Sequence, residues 1–414
     1  MSKTIDERIP ISAGKGALTD VPAVVTPWNK LVSYHDACHY AARSVATMAA
    51  LMMGAYRTLI ADYDERSKYL CEDAYERMFS MFSTPIGLFV GPKAHYTPPF
   101  ACGNFIGGLN GDTGDERLLM CGRVNDFSTY RVEKELDVCS WDIIGTELCR
   151  ATTASLEGVA DGSAGWNREG PKLDYQMVEA RGAGDRHCRI VAECRKKFPM
   201  PEHKSWERFG PIATSDMIKY TEEEYCVKES NIFREESCYC YINGTAREEG
   251  PETALKACAN NSGVLYMNAV FEYLIRHDIR KEEDIDRCLQ AVLEAGGKAQ
   301  FSDFFAVDGL RAWLGTPADV RDGRLMGGYL ETLLQILCMK YEVEAFNKDE
   351  VVLLINRKDM MNGSIPCPRQ IKNYIALWNG NVRTMVGAEW FVWEENSTES
   401  TVRVKIGKKI DKYA

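Results

Sequence analysis

The stretch that decides the fold runs from Cys139 to Cys188 and reads CSWDIIGTELCRATTASLEGVADGSAGWNREGPKLDYQMVEARGAGDRHC. It joins a helical pattern that carries cysteines and acids to a glycine-rich turn and a further cysteine. The segments Leu173–Ala180 and His187–Cys194, on either side of the turn Gly182–Asp185, give the clearest hairpin signal in the chain. We therefore expect a helix and then a hairpin here.

The periodicity of the remaining sequence predicts further elements. Apolar residues at three- and four-residue spacing predict helices, and alternation predicts strands. The predicted helices are two between Tyr34 and Met81 that break near Asp62–Arg66, then Cys139–Val159, Glu252–His277, Glu282–Gly296, Met326–Phe346 and Arg369–Met385. The predicted strands are Arg117–Val124, Tyr130–Val138, Val351–Asn356 and a final hairpin of Glu389–Glu394 with Thr401–Ile406.

The order of strand, cysteine, helix and hairpin occurs twice, once at Cys139 and once at Cys367. We therefore predict an α+β fold made of two degenerate copies of a helical hairpin plus a small antiparallel sheet. A length of 414 residues also favours two domains. The predicted division is an N-terminal arm at 1–30, a first domain at 31–200 and a second at 211–414. The second copy has Gln370 where the first has Asp142, so the first is the better candidate for chemistry.

Composition excludes several classes of protein. The net charge of -10 argues against nucleic-acid binding, which needs a concentrated basic surface. The polar start is not a signal peptide, and the longest apolar stretch, Ala41–Met53, is too short to span a bilayer. We therefore expect a cytoplasmic protein without membrane or nucleic-acid partners, in which the 15 cysteines are reduced thiols. The absence of a CxxC pair argues against a structural zinc ribbon.

Cys139, Asp142 and Glu147 are the predicted catalytic residues. At the start of a helix, Cys139 and Asp142 would lie one turn apart, and the helix dipole would lower the pKa of the thiol. This arrangement suits a nucleophile beside a general base, although Asp142 could instead cap the helix while Cys139 packs. If it is buried, Glu147 could act as the acid. Alternatively, Glu147 forms a surface ion pair with Arg150.

The glycine-rich turn favours a structural interpretation. Gly182 and Gly184 can supply positive φ angles, and Asp185 can bond to its own backbone. We assign Asp185 and Cys188 to the structure of the turn.

His35 and His39 are spaced by four residues, which places both on one helix face, as a divalent metal such as zinc or manganese needs. A hydrogen-bonding role in a pocket and ordinary packing are the alternatives. His95 and Asn104 lie in a glycine-rich segment of the kind that often lines pockets, and with Arg150 they are the predicted substrate-binding residues. The glycines there match neither a P-loop nor a dinucleotide fingerprint, so we expect no nucleotide cofactor.

The stretch from Tyr130 to Cys194 resembles the L-2-amino-thiazoline-4-carboxylic acid hydrolase family, whose fold is related to four-vinyl-reductase-type domains. The positions that carry the resemblance are Cys139, Asp142, Cys149, Tyr175, Met177, Gly182, Gly184, Asp185 and Cys188. The resemblance implies a hydrolase that opens a small heterocycle or a related cyclic electrophile.

Two functions remain open. The first is a cytosolic hydrolase that opens a C–N, C–S or C–C bond of a small cyclic substrate. Asp142 or Glu147 would activate water, while Cys139, or a metal held by His35 and His39, polarises the electrophile. The second is a non-catalytic, sensor-like protein of the same fold with an apolar pocket for a small molecule. The aromatic content of the second half also leads us to expect a homo-oligomer.

Overall fold

The structure is a computed structural model that describes residues 22–83, 121–127, 131–164, 173–194, 255–256, 258–259, 263–303, 306–361 and 367–409. These residues form two compact units. Unit 1 comprises the described residues between Asp62 and Cys258, and unit 2 comprises those up to Ala61 and from Ala259 onward. Helices and antiparallel strands are mixed in both, which confirms the predicted α+β class. None of the helices in these ranges combines the length and the apolar run that a bilayer crossing needs.

The elements are numbered here in chain order. The helices are α1 Tyr34–Leu59, α2 Tyr63–Phe82, α3 Thr146–Ala164, α4 Gly263–Arg276, α5 Glu282–Gln300, α6 Ala306–Leu314, α7 Gly323–Ile336, α8 Arg357–Met360 and α9 Arg369–Met385. The strands are β1 Pro22–Val25, β2 Leu31–Ser33, β3 Cys121–Phe127, β4 Arg131–Val138, β5 Leu173–Glu179, β6 Cys188–Cys194, β7 Tyr341–Phe346, β8 Glu350–Asn356, β9 Trp390–Glu394 and β10 Thr401–Lys408.

Unit 1 contains a four-stranded antiparallel sheet with the order β3-β4-β6-β5. Helix α3 joins β4 to β5 along the chain and packs against α2. At the crossing of the two helices, a Cβ atom on Gly158 would collide with the carbonyl oxygen of Tyr75. The buried residues Leu136, Cys188 and Ile190 lie on one face of the sheet, because Leu136 pairs with Cys188 and alternate residues share a face.

Unit 2 contains a second four-stranded antiparallel sheet, with the order β7-β8-β10-β9. As in unit 1, a helix that follows a cysteine lies between two of these strands in the chain. Here α9 follows Cys367 and lies between β8 and β9. The N–H of Gln370 donates to the carbonyl of Cys367, as the N–H of Asp142 does to that of Cys139. The two units therefore share a strand order and a turn, while the proposed duplication stays a prediction.

Several predicted elements are confirmed. Two helices lie between Tyr34 and Phe82 and break at residues 60–62, where Asp62 caps α2 by accepting the N–H of Glu65. The helix Arg369–Met385 has the predicted bounds, and both predicted hairpins are present.

Two predicted helices are shorter than expected. The helix predicted to begin at Cys139 begins at Thr146, because residues 139–144 form turns and Gly145 adopts a φ of 129°. The helix predicted for Met326–Phe346 ends at Ile336, and the chain then reverses at Cys338, whose φ is 55°. The strand β7 that follows pairs with β8, so sheet pairing overrides the helical pattern there.

The N-terminal and domain boundaries also differ from the predicted ones. The arm predicted for 1–30 contains β1, which pairs with β2 around a turn at Asn29, because the β-branched run of Val24 and Val25 favours a strand. Helix α1, predicted to belong to the first domain, lies in unit 2. Its apolar face packs on α4 and α5, where Leu51 contacts Gly296.

The crossing of α5 and α9 predicts a contrast between two identical substitutions. A Cβ atom on Gly380 would collide with the carbonyl oxygen of Glu294, so Gly380→Ala should destabilise the protein by about 1–3 kcal/mol. The control Gly309→Ala lies in a helix with open space around it and should stabilise by roughly 0.5–1 kcal/mol. Urea unfolding measures both, and equal stability of the two variants would contradict the close crossing.

Candidate functional site

Two cysteine side chains meet beneath the sheet of unit 1. Cys139 directly follows β4 and Cys188 begins β6, and the pairing of Leu136 with Cys188 brings these strand ends together. The exposed fractions are 6% for Cys139 and 3% for Cys188. The thiol of Cys139 donates a hydrogen bond to the sulfur of Cys188. Sheet register therefore brings together two thiols that are far apart in sequence.

This hydrogen bond separates the two pKa values. The bond from Cys139 lowers the pKa of Cys188 to about 7, helped by the Arg181 N–H at 3.3 Å and by the Arg181 charge, while burial opposes it. The same bond, together with burial, raises the pKa of Cys139 well above its usual value. Near neutral pH Cys188 is therefore partly ionised, while Cys139 stays protonated.

The predicted lowering of the Cys139 pKa is therefore wrong. Cys139 does not lie at the start of a helix, since α3 begins seven positions later at Thr146, and so the dipole of α3 does not act on it directly. The low pKa belongs to Cys188, for which the sequence pattern predicts a structural role in the turn. The resemblance included Cys188, but no local pattern in the sequence identified its hydrogen-bond donor.

The turn between β5 and β6 presents two successive backbone N–H groups to sulfur. The N–H of Arg181 donates to Cys188, and that of Gly182 donates to Cys149. Gly182 does not take the predicted positive φ. Its role is close approach, because a Cβ atom there would lie 2.9 Å from Cys149 Sγ. Burial raises the pKa of Cys149 to about 11.

The remaining turn residues act as predicted. Gly184 has a φ of 98°, and the carboxylate of Asp185 accepts the N–H of Ala180 at 2.8 Å, which closes the turn. Asp185 therefore supports the backbone that carries the two N–H donors.

Asp142 holds the guanidinium of Arg181 beside this thiol pair. Its Oδ2 accepts a hydrogen bond from Arg181 Nη2 at 3.2 Å, and Arg181 Nη1 donates to the carbonyl of Arg186 at 2.7 Å. The side chains are 18% and 30% exposed for Asp142 and Arg181, so the pair is reachable from solvent. The site thus combines a thiolate, a thiol donor and an oriented cation.

Glu147 serves to join two helices. Its side chain is 1% exposed and accepts a hydrogen bond from Arg66 Nε of α2 at 3.1 Å. The neighbouring Thr146 hydroxyl lies 2.9 Å from that of Tyr63. Arg150, predicted to bind substrate or to pair with Glu147, is exposed and lies over the Tyr63 ring at 5.1 Å. The Glu147 carboxylate is thus held in a buried ion pair between α2 and α3.

A charged cluster that the sequence reasoning missed lies around His187. Its Nε2 lies 2.6 Å from Glu179 and its Nδ1 3.6 Å from Glu135. Arg189 lies 3.4 Å from both Glu133 and Glu179. Because neighbouring strand residues face opposite sides, Glu135 and Arg189 lie on the sheet face away from Cys188. The charged residues that alternate along β4 and β6 are the feature of the sequence from which this cluster could have been predicted.

The other predicted residues do not join this site. His95 and Asn104 lie outside the described residues. His35 and His39 are in α1 of unit 2, where His35 Nδ1 lies 3.2 Å from Asp36 and His39 is exposed. Within the described ranges, no group of three or more His, Cys, Asp or Glu side chains could hold a metal ion. The histidine metal site stays a prediction.

Comparisons of this chain with protein-family models, with curated proteins and with solved structures found no match. The resemblance of residues 130–194 to the thiazoline hydrolase family therefore stays a prediction. Seven of the nine residues that carry it lie in the strand ends, in the turn and in the first part of α3 just described.

The pKa of Cys188 predicts a pH-dependent reaction with iodoacetamide. Only the thiolate reacts, so the rate of Cys188 alkylation should rise with pH around a midpoint near 7. In Cys139→Ala the midpoint should move upward, because the thiolate loses its main donor. Peptide mass spectrometry measures the rate, with Cys71, whose pKa is about 11 because of burial, as the internal control. An unchanged midpoint in the variant would contradict the hydrogen bond.

The buried ion pair predicts a large effect on stability. Arg66→Ala leaves the Glu147 carboxylate buried without this partner and should cost about 3–5 kcal/mol in urea unfolding. The control Lys68→Ala removes an exposed pair with Glu72 on the same helix and should cost no more than about 0.5 kcal/mol. Combining Arg66→Met with Glu147→Leu should recover most of the loss. Equal costs for the two single variants would show that the buried pair is unimportant.

Proposed function

We propose that unit 1 is a thiol-dependent hydrolase that opens a small cyclic substrate with a ring C=N bond and a carboxylate. The observation that supports this most strongly is the Cys188 sulfur, whose pKa of about 7 is set by a hydrogen bond from Cys139 and by Arg181. A thiol with a pKa near 7 is partly ionised at neutral pH, and the thiolate is a strong nucleophile. The nucleophile in this proposal is therefore Cys188 rather than Cys139.

The first half of the reaction forms a covalent intermediate. A lone pair on Cys188 Sγ forms a bond to the ring carbon, and the C=N π electrons move to nitrogen. The electron pair on that nitrogen then re-forms the C=N bond while the bond from the carbon to the other ring heteroatom, a sulfur or a second nitrogen, breaks. The leaving atom takes the proton of the Cys139 thiol, which becomes a thiolate. The ring is open at this point, and the carbon remains attached to Cys188 as a thioimidate.

The second half of the reaction consumes water. Water adds to the carbon bonded to Cys188, Asp142 accepts the water proton and passes it to Cys139, and the carbon–sulfur bond breaks. Cys188 leaves as a thiolate, which its low pKa favours. We assign the base to Asp142 rather than to Glu147, because the Glu147 carboxylate is held in the buried pair with Arg66.

Arg181 is the group that we assign to the substrate carboxylate. Its guanidinium is planar, permanently charged and suited to bidentate contact with a carboxylate. Asp142 and the Arg186 carbonyl fix its orientation, and nearly a third of its side chain is exposed. The reaction needs both thiols reduced, which fits the cytoplasmic location that we propose.

The second candidate function is non-catalytic binding of a small molecule. The near-complete burial of Cys139 and Cys188 favours it, because a nucleophile must be reached by its substrate. In that case the thiol pair would stabilise the turn and Arg181 would bind an anion without reaction.

Turnover of L-2-amino-thiazoline-4-carboxylate and a panel of carboxylated cyclic amidines tests the proposal. We expect ring opening, seen by mass spectrometry, that Cys188→Ser reduces on the order of 1000-fold or more in kcat/KM, as for removal of other nucleophiles. Cys139→Ala should be less damaging and should move the acid limb of the pH profile above its midpoint near 7. Cys71→Ala, in α2, is the matched control and should retain full activity.

Two outcomes would contradict the hydrolase. One is turnover that Cys188→Ser leaves unchanged, which would exclude this nucleophile. The other is saturable binding of these compounds to the intact protein without ring opening, which would support the binding function instead.

A further inference from the structure

Three sulfur atoms surround the turn between β5 and β6. The backbone N–H of Arg181 donates to Cys188 Sγ at 3.3 Å, and the next N–H, that of Gly182, donates to Cys149. The thiol of Cys139 is hydrogen-bonded to the sulfur of Cys188. One turn therefore gathers thiols from β6, from α3 and from the end of β4, and two of these thiols are bonded to each other.

Strand pairing fixes where the two hydrogen-bonded sulfurs lie. Strand β6 lies between β4 and β5, and Cys188 at its first position pairs with Leu136 of β4. Cys139 directly follows β4, and its carbonyl accepts the N–H of Asp142 in the turn that leaves the strand. A disulfide requires two cysteine side chains that already point toward each other. The fold provides this arrangement for Cys139 and Cys188, whereas the Cys149 sulfur is bonded to the backbone of the turn.

The two sulfurs also differ in the way that oxidation to a disulfide requires. The bond from Cys139, the Arg181 N–H and the Arg181 charge lower the pKa of Cys188 to about 7. The same bond and burial keep Cys139 protonated. Peroxides react with thiolates, and a neighbouring thiol then displaces the oxidised oxygen. Cys188 is therefore the sulfur that reacts first, and Cys139 is the one that reacts with its product.

The burial of the pair favours a small oxidant. The exposed fractions are 3% for Cys188 and 6% for Cys139, so neither residue is wholly closed to solvent. The side chains of Asp142 and Arg181 beside them are 18% and 30% exposed. Hydrogen peroxide is small and uncharged, so it suits this narrow access better than a bulky organic hydroperoxide.

We propose that hydrogen peroxide converts Cys139 and Cys188 into a disulfide, which a reducing thiol reverses. The pair is thus a site of redox modification in unit 1. Its formation does not depend on the hydrolase proposed above, although it removes both thiols that the hydrolase uses.

The oxidation has two balanced steps. In the first, the Cys188 thiolate attacks one peroxide oxygen, the O–O bond breaks, and the hydroxide that leaves takes a proton from solvent. Cys188 is then a sulfenic acid, and its sulfur has given two electrons to the peroxide. In the second, Cys139 Sγ attacks Cys188 Sγ, the S–O bond breaks, and the departing hydroxide leaves as water with the Cys139 proton.

The test exposes the reduced full-length protein to hydrogen peroxide at pH 7, blocks the remaining thiols with N-ethylmaleimide and digests the protein with trypsin. Cleavage leaves Cys139 and Cys149 together in the peptide 135–150, and Cys188 in the peptide 187–189. We expect these two peptides to be cross-linked, with the bridge assigned to Cys139 by fragmentation in the mass spectrometer. Dithiothreitol should remove the cross-link. Cys71, whose pKa burial raises to about 11, should keep its thiol in the same digest.

Two variants identify the second sulfur. In Cys139→Ala the sulfenic acid at Cys188 has no thiol bonded to it, so dimedone should trap about tenfold more of it per Cys188 oxidised than in the unsubstituted protein. Cys149→Ser is the matched control, because it removes the third thiol of the same turn, and its cross-link should form as before. Equal trapping in Cys139→Ala and the unsubstituted protein would contradict the role of Cys139.

The unsubstituted protein alone can overturn the proposal. Three results do so, namely a Cys188 that peroxide leaves unmodified, a Cys188 that is oxidised without a bridge, and a bridge from Cys188 to Cys149. The test therefore stands even if a variant fails to fold. Because the readout is the mass of a peptide and not turnover, failure of the hydrolase is distinguishable from failure of the disulfide.

Discussion

Close packing of helix against helix at glycine is the constraint on which both units depend. In unit 1, Gly158 of α3 meets the backbone of α2, and in unit 2, Gly297 and Gly380 bring α5 and α9 to backbone contact. Helix α3 joins β4 to β5, and α9 lies between β8 and β9 in the chain. In unit 1, Cys139 follows β4, and the pairing of β4 with β6 places Cys188 near it. The thiol pair is therefore positioned by the pairing of two strands within this packed unit.

Cysteines of one small region differ widely in acidity because their neighbours differ. Cys139, Cys149 and Cys188 are all wholly or largely buried, and burial alone raises the pKa of each thiol. Cys188 is the exception because it accepts hydrogen bonds from a second thiol and from a backbone N–H, beside a guanidinium. Donor geometry, rather than exposure, selects which sulfur ionises. This selection depends on the turn that Asp185 closes.

Local patterns in the sequence predicted much of the fold and identified part of the site. The helix Arg369–Met385 and the hairpin around Gly184 follow from periodicity and turn residues within a few positions. The strand β7 was missed because the chain reverses at Cys338, and cysteine is not a residue that usually takes positive φ. The partners of Glu147 and Cys188 could not be predicted, because Arg66 and Cys139 are distant in sequence and only the tertiary fold brings them near.

The position of α1 in unit 2 has a consequence for the order of synthesis. The carbonyl of Leu59, at the end of α1, accepts hydrogen bonds from Arg280, 221 residues further along the chain. Unit 1 lies between them in sequence, and its described residues follow one another without interruption by unit 2. Domains tend to fold as they emerge from the ribosome, so α1 must wait with its apolar face uncovered until unit 1 has been made. Unit 2 therefore closes last, and α1 stays accessible to chaperones until then.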